Sequence, residues 1–83
     1  PNPFNPRVTI ALDLPVPGEV AVRLYDVRGA CVRTLLAGPR PAGRHELTWD
    51  GTDAAGRPSP SGVYFVSVRS VGVERLSKVM LVR

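Results

Sequence analysis

Asp50 and Asp53 have the clearest potential for chemistry, because Trp49-Asp50-Gly51-Thr52-Asp53 sets two carboxylates three positions apart where both could reach a Ca2+ ion. Two side chains fall short of the roughly six to eight oxygens that ion takes, so backbone carbonyls and water would complete the shell. The same two residues are good makers of Asx turns, which would shape the loop without a metal. His45 stands beside Glu46, but adjacent strand residues point to opposite faces and do not form an acid–base pair. His45 instead shares a face with Leu47 and Trp49, the place of a partly buried structural histidine. One Cys and one His are too few for the usual zinc site, and a single Cys closes no internal disulfide. Cys31 is read as a small apolar packing residue. No serine sits in a Gly-x-Ser-x-Gly elbow, and no glycine-rich phosphate loop is present. The expectation is a chain that is not an enzyme and needs no cofactor beyond that possible Ca2+.

The elements that would carry these residues are strands. Val8, Ile10, Leu12 and Leu14 alternate with Thr9, Ala11 and Asp13, the period of a half-buried strand. Pro15-Val16-Pro17-Gly18 breaks it, since proline removes ladder donors and glycine permits positive φ. Val20, Val22 and Leu24 mark a second strand, closed by Asp26-Val27-Arg28-Gly29. Residues 30–37 form a less regular third run with Val32 and Leu35 as its expected core members. Gly38 to Gly43 is turn-rich. His45, Leu47 and Trp49 then line one face of a fourth strand, and a long break runs from Gly51 to Gly62. Residues 63–70 and 73–82 form a final pair around Gly72.

No helical period appears, and the nine prolines and eight glycines fall almost entirely between apolar runs. Short strands at roughly 8–12-residue spacing predict an all-β fold, an antiparallel β-sandwich, with a small closed barrel as the alternative. The domain reading is a proline-rich connector arm over 1–6 and a single sandwich over 7–83. Trp49 is expected to anchor a small core, which argues against a sugar-stacking platform built from Tyr25 and Trp49. In Pro1-Asn2-Pro3-Phe4-Asn5-Pro6, three prolines stiffen an extended arm with one apolar anchor. Phe4 either tucks under the sandwich or, with Pro3, Asn5 and Pro6, docks another molecule.

The 83 residues amount to one domain and include no apolar run of about 18 residues, hence no transmembrane segment of the helical kind. Opening on Pro1 rather than Met, the chain is read as a processed product or a piece of a longer polypeptide. Its net charge is +4, from 11 basic and 7 acidic residues. The arginines are scattered and form no block, so nucleic acid is not an expected partner.

Five pieces then occur in order: Pro-Asn-Pro-Phe-Asn-Pro (1–6), Val-Arg-Leu-Tyr-Asp-Val-Arg-Gly (22–29), Ala-Gly-Arg-His-Glu-Leu-Thr-Trp-Asp-Gly (42–51), Ser-Gly-Val-Tyr-Phe (61–65) and Lys-Val-Met-Leu-Val (78–82). Together they resemble the C-terminal sorting domain of type IX secretion substrates. They are equally similar to the immunoglobulin-like domain related to the flagellar hook-capping protein. The resemblance implies an immunoglobulin-like sandwich of about seven strands, non-catalytic and carried by an exported bacterial protein, secreted or at the cell surface. On the type IX side it implies a partner in the secretion machinery, read through the last strand, Lys78, Val79, Met80, Leu81, Val82 and Arg83. It would place the junction with upstream cargo at Pro1–Pro6. The alternative function is a structural subunit or assembly module of an extracellular filament, joined to neighbouring subunits or domains through the N-terminal arm or an edge strand.

Overall fold

A computed structural model describes residues 6–83. Its six strands are β1 Val8–Leu14, β2 Gly18–Tyr25, β3 Cys31–Arg40, β4 Gly43–Trp49, β5 Gly62–Ser70 and β6 Val73–Leu81. All pairings are antiparallel, in a two-stranded sheet β1-β4 and a four-stranded sheet β3-β2-β5-β6. The chain changes sheet between β1 and β2, between β3 and β4, and between β4 and β5. That makes an open immunoglobulin-like sandwich rather than a closed barrel, with six strands in place of about seven.

Alternation along the strands builds the core. Ile10, Leu12, Leu14 and Trp49 face inward from the small sheet, against Val20, Val22, Leu24, Leu36, Tyr64, Val66 and Leu81 from the large one. Val22, Leu24 and Trp49 are wholly withdrawn from solvent; burying each such side chain is worth about 1.5–3 kcal/mol. His45 pairs with Leu12 across β1 and β4, is half-buried, and its Nε2 lies 2.8 Å from the Pro41 carbonyl.

β3 departs from the sequence expectation in three ways. Its register against β2 runs Val22↔Leu36 then Arg23↔Thr34, and Leu24↔Arg33 then Tyr25↔Cys31. Leu35 and Val32 are therefore the extra residues of two bulges, which reset the alternation each time. Leu36 becomes the buried member, while Leu35 and Val32 only pack at the margin of the core. Cys31 lands opposite Tyr25 on the outer face and is exposed, which corrects the packing role expected for it. Lastly, the strand continues through Gly38 and Pro39 to Arg40, where a turn was expected. Pro39 is tolerated because β3 is a sheet edge, where a donor facing outward has no ladder bond to make.

The β5–β6 connection has two residues, with Ser70 paired to Val73. Val71 and Gly72 both take positive φ, 45° and 76°, the geometry of a type I′ hairpin. Glycine accepts it freely; a β-branched residue does not. Val71→Asn should therefore stabilise the chain by about 1 kcal/mol, raising the thermal midpoint by roughly 4–8 °C. A calorimetric scan checks this, and an unchanged or lower midpoint would show that Val71 carries no backbone strain.

Candidate functional site

Some of the residues singled out in the sequence, Trp49, Asp50, Asp53, Pro6, Leu81 and Arg83, gather at one end of the sandwich, around the loop that leaves β4. Trp49 ends that strand and lies edge-on to Tyr64, with ring centroids 4.9 Å apart. A buried indole N–H needs a partner, and Nε1 donates to the Thr52 carbonyl at 2.8 Å. The Tyr64 hydroxyl donates to the Pro60 carbonyl at 2.6 Å, a tyrosine corner that ties the start of β5 to the incoming chain. The two rings thus fix both ends of the 50–61 connection. Trp49 is wholly buried, which removes it as a sugar-stacking platform.

Asp50 and Asp53 accept hydrogen bonds from the loop itself. Asp50 Oδ1 accepts from the Thr52 amide at 3.1 Å and from its hydroxyl at 2.6 Å. Asp53 Oδ1 accepts from the amides of Ala55 and Arg57, both at 2.9 Å, while Oδ2 lies 3.4 Å from Arg57 Nε. Among the described residues, no group of three or more His, Cys, Asp or Glu side chains is placed to hold a metal ion.

Two arginines complete the cluster: Arg33, to which the sequence assigns no role, and Arg83, expected only as part of a recognition segment. Arg33 lies opposite Leu24, so the second bulge turns it toward the interior end. Its Nη1 donates to Thr52 Oγ1 at 2.5 Å and to the Asp53 carbonyl at 3.2 Å, with Asp50 Oδ1 3.8 Å away. Arg33, Thr52 and Asp50 thereby form a relay of donors and acceptors. Arg83 closes the other side. Its amide donates to Ser61 Oγ at 2.9 Å, its Nε to the Ser59 carbonyl at 2.5 Å, and its Nη2 to the Gly51 carbonyl. The Ser59 amide returns a bond to that same Gly51 carbonyl at 2.8 Å. No sequence signal marks Arg83 for this role; Arg33 could be found only by placing the bulges.

Gly51 is the point of closest approach. Its φ is 78°, and a Cβ there would meet Arg83 Nη2 at 2.9 Å, Leu81 Cδ1 at 3.1 Å and Pro6 Cγ at 3.3 Å. The structure therefore brings together Pro6 from the proposed arm, Leu81 and Arg83 from the last segment, and the Trp49–Asp53 loop. Pro6 is buried. Pro3, Phe4 and Asn5 lie outside the described residues. Lys78 and Val79 sit on β6 opposite Phe65 and Tyr64, while Met80 and Val82 are exposed and Leu81 is buried. Among the described residues, no buried side-chain nitrogen or oxygen lacks a hydrogen-bond partner.

The profile of the FlgD Ig-like domain matches residues 5–72, a span that contains this loop. The chain belongs to that family. It is 38% identical over 67 residues to the basal-body rod modification protein FlgD of Escherichia coli K12, a match covering 81% of the chain and 27% of that protein. Against FlgD of Salmonella typhimurium the figures are 38% over 50 residues, 60% of the chain and 22% of the relative. The chain thus spans about a quarter of the length of these curated relatives. Among solved structures, FlgD of Pseudomonas aeruginosa superposes with a TM-score of 0.68 at 27% identity, over 98% of this chain and 63% of that one. FlgD of Xanthomonas campestris, described as a hook-capping protein essential for flagellar assembly, gives 0.68 at 22% identity, over 93% and 58%, a likeness of fold. The FlgD match takes the hook-capping side of the earlier resemblance and lends nothing to type IX sorting.

Two tests follow from the cluster. Gly51→Ala must hold a positive φ against Leu81 and Pro6 and should cost at least roughly 2 kcal/mol. Trp49→Ala should cost about 3–5 kcal/mol through its cavity. Denaturant titration reads both, and near-neutral values would remove the cluster from the fold's stability. The second concerns pH. The Thr52 hydroxyl bond, above all, lowers the Asp50 pKa below its ordinary 3.8, and the Arg57 amide does the same for Asp53. A carboxylate lowered in the folded state stabilises it above the unfolded pKa and loses that contribution as pH falls through the folded value. Thermal midpoints should thus drop as pH falls below about 4, and D50N/D53N should flatten that drop. Identical slopes in variant and parent would contradict it.

Proposed function

We propose that this chain is a non-catalytic assembly module of an exported bacterial protein, holding neighbouring subunits or domains in an extracellular appendage of the flagellar hook-capping kind. Membership of the FlgD Ig-like family carries this reading, since the E. coli relative is a basal-body rod modification protein. The fold suits such work: a small sandwich closed at one end by paired polar groups keeps its shape while its edges and outer faces stay available. The segment Pro3–Pro6 is the proposed joint, because Pro6 is already seated beside Gly51 at the closed end.

One observation weighs assembly against sorting. A segment read by a translocon must be accessible, yet Leu81 is 1% exposed and Arg83 is fastened by three hydrogen bonds. Of the terminal residues, Lys78, Met80, Val82 and Arg83 are exposed.

Deleting residues 6–83 from the native polypeptide in its own bacterium should leave it exported but abolish its incorporation into the surface structure. Fractionation with electron microscopy of the cell surface reads both. Accumulation of the truncated polypeptide inside the cell would mark a sorting signal and overturn the assembly reading.

A further inference from the structure

The two edges of the four-stranded sheet differ. The β3 edge carries two bulges and Pro39, devices that blunt a strand against further pairing. The β6 edge has neither: nine residues pair with β5 in unbroken register. Five of the seven exposed large hydrophobic residues among those described, Val71, Val73, Leu76, Met80 and Val82, lie on or beside it.

The hairpin fixes which backbone groups are free. In a two-residue I′ hairpin the flanking pair, Ser70 and Val73, is hydrogen-bonded, and hydrogen-bonded pairs recur at every second residue. Val73, Arg75, Ser77 and Val79 thus bond back to β5, while the N–H and C=O groups of Glu74, Leu76, Lys78 and Met80 point away from the sheet. The side chains of these four share its outer face.

We infer that β6 pairs antiparallel with β6 of a second copy of this chain, about a two-fold axis at Leu76. In that register Leu76 meets its own counterpart, and Glu74 of each copy stands opposite Lys78 of the other. Two ion pairs then flank one apolar contact, all at positions whose backbone groups, among the described residues, are free to bond. An axis at Arg75 or at Lys78 would instead set like charges opposite each other, which is destabilising. Glu74 stays available because its contact with the sheet is a single bond, from the Ser67 hydroxyl to Oε2 at 2.7 Å, which leaves Oε1 for Lys78. Arg75 lies on the other face, opposite Ser77 of the second copy. The interface is that of a self-complementary pair, and its small area makes it a weak, reversible one. The inference goes beyond the assembly reading, because the edge and its partner are the same whether or not the chain serves an appendage.

Sedimentation equilibrium of the chain up to about 1 mM, the scale of a weak interface, tests it. The parent should show a monomer–dimer equilibrium that Lys78→Glu weakens at least tenfold by facing Glu74 with a second carboxylate. The charge exchange E74K/K78E should restore it to within threefold of the parent. Circular dichroism verifies folding. Should the exchange variant not fold, Leu76→Lys, which leaves the Ser67–Glu74 bond in place, should weaken the dimer at least tenfold. A parent that stays monomeric throughout, a dimer indifferent to K78E or L76K, or a folded E74K/K78E no tighter than K78E overturns the inference.

Discussion

A tryptophan ring withdrawn from water, whose N–H must still find a partner, governs one whole end of this molecule. Trp49 satisfies the requirement by donating to Thr52, only three residues on, so the chain must turn back at once after β4. Gly51 makes that turn with a positive φ in a space too tight for a side chain. The carbonyl freed at Gly51 then receives the Ser59 amide and the Arg83 guanidinium, drawing the far end of the loop and the end of β6 into the same knot. An unsatisfied group in such a place costs about 1–3 kcal/mol. Each bond there is held by the penalty of losing it more than by its own net worth.

This arrangement also explains why the sequence reads Trp-Asp-Gly at 49–51. Trp-Asp-Gly is a tryptophan that must be buried, an aspartate that accepts from the returning backbone, and a glycine that alone fits the approach. Asp50 and Asp53 resemble half of a cation site in sequence, but their oxygens answer donors of their own loop. The free resources lie elsewhere, on the outer face and along β6, which accords with a module that works by contact.

Much of the architecture was legible because period-two alternation is a direct image of an inner and an outer face. Ile10, Leu12 and Leu14, or Val20, Val22 and Leu24, announce their side of the sheet without reference to anything distant. The third run is legible as a strand but its inner and outer faces are not, since a bulge is a decision made by the partner strand: nothing in Val32-Arg33-Thr34-Leu35-Leu36 says that two residues will go unpaired. The bulges move Leu36 into the core and Cys31 onto the outer face. The proline-bearing tail of β3 escapes a sequence reading for a related reason, because only the sheet order reveals that Pro39 sits on an edge. Arg83 lay beyond reach altogether, as its three partners are more than 20 residues away in sequence. Local pattern points to a sandwich over a barrel, and the family resemblance adds that it is immunoglobulin-like.

The most direct test of the account is native-state hydrogen exchange at the Trp49 indole N–H and the Ser59 amide, compared with Val22 and Val66 in the central strands. If the Trp49 knot is part of the cooperative core, all four exchange only through global unfolding, with equal free energies and equal sensitivity to denaturant. Exchange at Trp49 and Ser59 orders of magnitude faster, and insensitive to denaturant, would mean that this end opens locally and that the fold does not depend on it.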